Sequence, residues 1–256
     1  MKVVILAGGL GTRLAEETEV RPKPMVEIGE RPILWHIMKH YAHYGINEFI
    51  IALGYKGDVI KRFFLEHSTL HGNFTMDMHT GKMVARQEAP ERWRVHLVDT
   101  GLESSTGGRI ARVRDYLDGE TFMMTYGDGV SNVNLDALLE FHKKNNRIVT
   151  LTAVRPPARF GGLIFNGDLI SQFTEKPQVG EGWINGGFMV MEPAILDYIP
   201  SDATNLEAQV LEQLAQIGQL DAYRHEDFWQ CMDTLRDKRQ LEAFWQAGNV
   251  PWKTWQ

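Results

Sequence analysis

Val3-Val4-Ile5-Leu6-Ala7-Gly8-Gly9-Leu10-Gly11-Thr12-Arg13-Leu14 begins as an unbroken apolar run and then dissolves into glycines. A short run with no polar alternation reads as a strand buried on both faces, and the glycines read as the loop that leaves it. Without Cβ atoms, Gly8, Gly9 and Gly11 let backbone N–H groups approach phosphate oxygens. Thr12 adds a hydroxyl donor, and Arg13 a guanidinium that can fork onto a polyphosphate. The proline-broken segment Arg21-Pro22-Lys23-Pro24 supplies a further cation in Lys23, so a triphosphate suits this region. The plainer reading is a tight strand exit with solvent-facing basic residues, and the company of Arg13 and Lys23 weighs against it. A Walker loop is excluded because the Gly-Lys-Ser/Thr ending is absent, and the dinucleotide fingerprint fails where Leu14 replaces its last glycine.

The strand-loop-helix rhythm continues outward. Pro32 can open a helix with Ile33, Leu34, Ile37, Met38 and Tyr41 on one apolar face. Phe49–Leu53 is the next strand, followed by Gly54-Tyr55-Lys56-Gly57 and a helix through Ile60, Phe63 and Phe64. Further strands are expected at Phe74–Met78, Val95–Val98, Thr121–Tyr126, Ile148–Val154 and Trp183–Met191. Helices are expected at Gly107–Leu117, Leu135–Lys144, Asn205–Gln216 and Thr234–Trp245. Asn166-Gly167, between Gly162–Phe165 and Leu169–Thr174, marks a hairpin. The alternation predicts a three-layer, Rossmann-like α/β fold with a mostly parallel central sheet and a small β-rich insertion. One domain is expected over residues 1–256, with the hairpin subregion inside 155–204.

Bulk properties narrow the function. With 27 Lys and Arg against 33 Asp and Glu, the net charge of -6 opposes binding to a nucleic-acid backbone. No apolar run approaches the roughly 20 residues that cross a bilayer, and no secretory peptide is read at Met1-Lys2. Cys231 is the sole cysteine, which excludes an intrachain disulfide and fits a reducing, cytoplasmic setting. The histidines form no metal signature; His36 and His40, one helical turn apart, fit structural or surface roles. Cys231, beside Trp229 and Met232, fits packing rather than nucleophilic work. Lys143-Lys144 reads as a solvated helix end.

Two acids carry the metal reading. Asp128 follows an apolar strand between Gly127 and Gly129, and Asp233 stands between Met232 and Thr234 just before the last helix. Brought together, their carboxylates can hold a hard divalent cation that also binds phosphate, and Mg²⁺ suits them better than zinc. The competing reading is turn formation for one and helix capping for the other. Glu175-Lys176-Pro177 and Asn185-Gly186-Gly187 offer a cation and hydroxyl partners for a second phosphate-bearing substrate. An exposed salt bridge at a turn is the alternative.

These residues resemble the sugar-1-phosphate nucleotidylyltransferases over essentially the whole chain. The opening loop with Arg21-Pro22-Lys23-Pro24-Met25 carries the broad resemblance. Val98-Asp99-Thr100-Gly101, Thr106-Gly107-Gly108-Arg109, Thr125-Tyr126-Gly127-Asp128-Gly129-Val130, Pro156-Pro157-x-Arg159-Phe160-Gly161 and Phe228-Trp229-Gln230-x-Met232-Asp233-Thr234 point to its cytidylyltransferase branch. The resemblance implies that CTP and α-D-glucose 1-phosphate yield CDP-glucose and pyrophosphate, a product that feeds O-antigen and related cell-surface sugars. It assigns Leu6, Gly8, Gly9, Gly11, Thr12, Arg13 and Lys23 to the triphosphate, and Asp128 and Asp233 to Mg²⁺. Thr100, Gly107 and Arg109 go to the cytosine and ribose region. Glu175, Lys176 and Asn185 go to the sugar phosphate, with Lys176 nearest its phosphate, and Gly161 is a further substrate-binding residue. A homo-oligomer, with the hexamer as its candidate form, is also implied.

Two departures stand out. Cys231 replaces the proline of the usual Phe-Trp-Gln-Pro-Met-Asp segment, which would loosen the backbone aiming Asp233. The usual Trp-Glu-Gln-Glu-Pro stretch is replaced around Asn205-Leu206-Glu207-Ala208-Gln209. The rivals are a UTP- or dTTP-dependent enzyme acting on the same sugar phosphate, and a noncatalytic nucleotide-sensing subunit.

Overall fold

The computed structural model describes residues 1–69, 73–85, 91–156, 162–166, 169–174 and 182–255. Its spine is a sheet with strands in the order Arg94–Asp99, Glu48–Leu53, Val3–Ala7, Phe122–Tyr126, Met189–Met191, Val149–Val154 and Leu220–His225. Met189–Met191 and Ile184–Asn185 are two pieces of one interrupted strand. Both run antiparallel to Val149–Val154 in nearly one register, Thr150 opposite Val190 and Ala153 opposite Asn185. The other pairings in the sheet are parallel, with this strand as the antiparallel exception beside Phe122–Tyr126 as well.

The first strand shows why the chain has three layers. Val3, Ile5 and Ala7 enter one core, while Val4 and Leu6 enter another on the opposite sheet face. The first core takes Ile33, Leu34, Ile37, Met38 and Tyr41 from the helix Ile33–His43, together with Leu241 and Trp252. The second takes Ile110 and Val113, then Leu206, Val210 and Leu214. Burial on both faces is what the unbroken apolar run at Val3–Ala7 encodes.

Several elements differ from the sequence expectation. Leu220–His225 completes the sheet beside Val149–Val154, but Asp221 and Arg224 interrupt its apolar signal, as a half-covered strand permits. Gly129–Ser131 and Trp229–Cys231 pair as a small antiparallel ribbon. The expected strand at Trp183–Met191 is broken around Gly187 and Phe188, whose φ values are 73° and 47°. Phe74–Met76 pairs with a second short strand, Met83–Ala85. The helix expected over Gly107–Leu117 runs from Thr106 to Arg112 and gives way to a single tight turn at Arg114–Tyr116. Leu206–Leu211 is wound as a π-helix before the short α-helix Glu212–Gln216. The hairpin of Gly162–Asn166 with Leu169–Thr174 forms as expected.

His36 and His40 are core residues rather than surface ones. Burial holds the His36 imidazole down at about 4; its Nε2–H donates to the Ile28 carbonyl at 2.9 Å and its Nδ1 accepts from the Trp252 indole N–H at 3.3 Å. His40 meets the Thr254 hydroxyl at 3.0 Å, so the two rings hold the C-terminal segment onto the helix. No described helix is long and apolar enough to cross a membrane.

Candidate active site

Parallel strands bring their carboxyl ends to one edge of the sheet. Ala7 therefore delivers Gly8, Leu53 delivers Gly54, Asp99 delivers Thr100, and Tyr126 delivers Gly127-Asp128 to the same neighbourhood. Gly11 turns the first loop at φ 64° and accepts at its carbonyl from Leu14 N–H at 3.0 Å. Gly8 is a close-approach position: a Cβ there would meet the Arg109 guanidinium at 2.2 Å.

Arg109 explains that approach. Its guanidinium donates to the carbonyls of Leu53 at 3.2 Å, Gly101 at 2.7 Å, Gly8 at 3.0 Å and Leu102 at 3.1 Å, and to the Thr100 hydroxyl at 2.8 Å. Three loops are thus tied to one side chain. Burial lowers its pKa from the ordinary arginine value, Arg112 pushes the same way, and the negative charge of Asp99 opposes them. The Thr100 hydroxyl also donates to Leu53 O at 2.6 Å. Thr100 and Gly107 therefore sit behind the wall: Thr100 is fully buried, and a Cβ on Gly107 would strike the Thr204 carbonyl at 2.7 Å.

The acidic residues converge. Lys23 Nζ donates to Asp128 Oδ2 at 2.6 Å and to Asp233 Oδ1 at 2.5 Å, and Arg13 pairs with the other Asp233 oxygen. Residues 105 and 210 positions from Lys23 in sequence thereby share one ammonium. Burial alone would depress the Lys23 pKa. The charges of Asp128 and Asp233 and their hydrogen bonds outweigh it and raise the value above 10.5. Helix capping does not explain Asp233. Thr234 is the N-cap of Leu235–Gln246, in a capping box with Asp237. The Asp237 carboxylate also accepts from Asp233 N–H at 3.1 Å and Thr234 N–H at 2.9 Å, which aims Asp233.

Two hollows meet at this corner. The larger, about 430 Å³, is lined by Leu6, Gly8, Gly9, Gly11, Thr12, Arg13, Lys23, Ser104, Ser105, Thr106, Arg109, Tyr126, Asp128, Asn205 and Asp233, among others. The smaller, about 210 Å³, holds Arg13, Thr125, Tyr126, Asp128, Asn185, Trp229, Cys231 and Asp233. Arg13, Tyr126, Asp128 and Asp233 belong to both. Among the described residues no group of three or more His, Cys, Asp and Glu forms a protein cage for a metal. Two carboxylates on an open cleft, already gathered around one cation, suit Mg²⁺, which keeps waters and substrate phosphates in its shell.

The structure therefore brings together Leu6, Gly8, Gly9, Gly11, Thr12, Arg13, Lys23, Arg109, Asp128 and Asp233 around the larger hollow and puts Asn185 in the smaller one. Gly161, Glu175 and Lys176 lie outside the described residues. Tyr126, Ser104, Ser105, Thr106, Asn205 and Trp229 also line the hollows without having been assigned a site role from the sequence. The position of Tyr126 immediately before Gly127-Asp128, at a strand's carboxyl end, was a usable signal. Asn205 carried none beyond its place at the start of the expected helix Asn205–Gln216.

Known proteins resemble this chain over essentially its whole length. The chain is 52% identical to glucose-1-phosphate cytidylyltransferase of Salmonella typhimurium, with 100% of both chains covered. It is 43% identical, again over 100% of both, to the "Probable glucose-1-phosphate cytidylyltransferase" of Bacillus subtilis. In fold it is similar to the crystal structure of HddC from Yersinia pseudotuberculosis, at a TM-score of 0.69 and 24% identity over 95% of this chain and 99% of that one. With a family match running over residues 2–248, the chain belongs to the Nucleotidyl transferase family.

Proposed function

We propose that this enzyme transfers the cytidylyl group of CTP to α-D-glucose 1-phosphate, giving CDP-glucose and pyrophosphate. The observation that carries the reading is the meeting of two hollows at Asp128 and Asp233, beside Lys23 and Arg13. The larger hollow takes the nucleotide and the smaller the sugar phosphate. A phosphate oxygen of the sugar phosphate attacks the α-phosphorus in line. The new P–O bond forms as the bond to the β-phosphate oxygen breaks, and pyrophosphate leaves. The attacking phosphate has an unprotonated oxygen at neutral pH, so no strong general base is needed.

Reactions of this family typically need a divalent metal. Asp128 and Asp233 are the residues we assign to Mg²⁺, which when bound supplies neutralisation of the phosphate charge. The chain's own cations divide the remaining work. Arg13 and Lys23 stabilise the α-phosphate and the leaving group, and the Gly8-Gly9-x-Gly11 backbone cradles the polyphosphate. The sugar side falls within residues 155–204, with Asn185, Glu175 and Lys176 on the sugar phosphate, and the chain acts in the cytoplasm as a homo-oligomer, a hexamer in the reading we favour. Lys176→Ala should weaken use of the sugar phosphate more than use of CTP; equal losses in separate titrations reject that assignment.

A pyrophosphate-release assay across four nucleoside triphosphates and several sugar 1-phosphates tests the whole reading. CTP with glucose 1-phosphate should dominate. Preference for UTP or dTTP would overturn the base assignment, and nucleotide binding without turnover for any pair would favour the sensor alternative.

A further inference from the structure

The segment Leu206–Leu211 places a carboxylate between the two hollows. Leu206–Leu211 opens under an Asn205 cap, whose side chain accepts from Ala208 N–H at 2.7 Å, and its π winding sets Glu207 against two hydroxyls. Thr106 Oγ1 donates to Glu207 Oε2 at 2.6 Å, and Tyr126 Oη donates to Oε1 at 2.6 Å. The Thr106 hydroxyl in turn accepts from Leu206 N–H at 2.9 Å. On the far side, Asn185 Nδ2 donates to Tyr126 Oη at 3.3 Å, while Asn185 Oδ1 accepts from Gly187 N–H at 2.9 Å. An unbroken relay thus runs Thr106, Glu207, Tyr126, Asn185.

Proton directions along the relay are not free. An ionised carboxylate only accepts, so both hydroxyl protons must point at Glu207. Tyr126 Oη then faces the remaining directions as an acceptor, which fixes the amide of Asn185 with its nitrogen toward the phenol and its oxygen toward Gly187. Burial of Tyr126 first, and then the charge of Glu207, raise the phenol far above its ordinary value, so it stays protonated as this arrangement requires. Thr106 belongs to the larger hollow, Asn185 to the smaller, and Tyr126 to both. Glu207 touches neither hollow in its own right.

We propose that Glu207 is a positioning residue for the sugar-phosphate half of the reaction, acting through Tyr126 and Asn185 at the junction of the hollows. The proposal rests on the assignment of the smaller hollow to the sugar phosphate. It makes the Tyr126 phenol oxygen an acceptor for a substrate hydroxyl. A glutamine at 207 would turn one acceptor into an N–H donor facing a hydroxyl that itself donates, and the relay would have to reverse or break.

The test compares the full-length wild type with Glu207→Gln, Glu207→Asp, Tyr126→Phe and the Glu207→Gln/Tyr126→Phe double variant. Steady-state titrations of each substrate are joined by calorimetric binding of CDP-glucose. Glu207→Gln should raise KM for glucose 1-phosphate and the Kd of CDP-glucose by about tenfold, with KM for CTP within about twofold, as expected for loss of one charge-assisted hydrogen bond. Glu207→Asp, which keeps the charge, should recover part of that loss. In the Tyr126→Phe background the Glu207→Gln change should add little. Equal effects on both substrates, full additivity of the two changes, or a lowered Tm with unchanged kinetics and binding would overturn the proposal. If the wild type prefers a different substrate pair, the substrate reading fails and Glu207 is judged by the same ratio on that pair. If the wild type binds no nucleotide sugar at all, both fail together.

Discussion

Lys23 and Arg109 face the same cleft, and the regions around them are built on contrasting terms. At the corner, Lys23 is held by two carboxylates, and their charge more than offsets the cost of burying its ammonium. In the wall, Arg109 meets no carboxylate directly among the described residues and spends its donors on five neutral oxygens from three loops, with its pKa lowered by burial. A cation between carboxylates can be exchanged for another cation. A guanidinium that satisfies buried carbonyls has no such substitute, since each carbonyl left without a donor costs on the order of 1–3 kcal/mol. The corner is therefore the part suited to change when metal and phosphate arrive, and the wall is the part suited to hold the loops still.

The largest expected effect lies in the corner. Asp128→Asn should lower turnover by about 10²–10³-fold while leaving the circular-dichroism spectrum and Tm close to wild type, the loss that removing a charge proposed to act at the reacting phosphates would cause. Near-normal turnover at saturating Mg²⁺ would break the assignment of the corner to chemistry. Lys23→Met should cost about 10–100-fold in turnover and yet tighten Mg²⁺ binding in the absence of nucleotide, since no ammonium then competes for the two carboxylates. Calorimetric titration decides this; weaker metal binding in the variant would mean that Lys23 organises the corner rather than occupying it.

The two regions were not equally legible in the sequence. The corner could be anticipated because each acid stands at a local landmark, Asp128 after a buried strand and Asp233 before a helix, although nothing local joins residues 105 apart. Their meeting is a product of the ribbon that pairs Gly129–Ser131 with Trp229–Cys231 and sets Met232 N–H on the Asp128 carbonyl. The wall was legible only in outline. Arg109 and Thr100 stood out by resemblance as nucleotide contacts, but their bonding to carbonyls of Gly8, Leu53, Gly101 and Leu102 depends on backbone positions that side-chain patterns do not encode. The buried strands announced themselves by unbroken apolar runs. Leu220–His225 did not, because Asp221 and Arg224 break the run in a strand whose burial is only partial.

Arg109→Lys sharpens the contrast with a smaller effect. An ammonium can serve at most three of the five acceptors and cannot span their separation, so about 2–4 kcal/mol of stability should be lost. Urea unfolding should show the loss, with KM for the nucleotide raised and Mg²⁺ affinity unchanged. A variant with wild-type stability would mean that the loops are held by their own backbone, and the distinction between an exchangeable corner and a fixed wall would disappear.

The smallest effect is expected at Cys231, where the family pattern has proline. In the ribbon of Gly129–Ser131 with Trp229–Cys231, Met232 N–H donates to Asp128 O at 2.8 Å and Asn132 N–H to Phe228 O at 3.3 Å. Antiparallel ladders alternate bonded and non-bonded pairs, so the opposition of Cys231 to Gly129 is a non-bonded pair and the Cys231 N–H points away from the partner strand. A proline there forfeits no ladder bond, and the cysteine does not slacken the turn, because Met232 and the Asp237 carboxylate already fix Asp233 from either side. Cys231→Pro should therefore leave turnover within about twofold and raise stability by about 0.4–1 kcal/mol through the unfolded chain. A tenfold loss of activity would show that the aim of Asp233 depends on the 231 backbone after all, and the corner would then be less tolerant of change than its exchangeable charges imply.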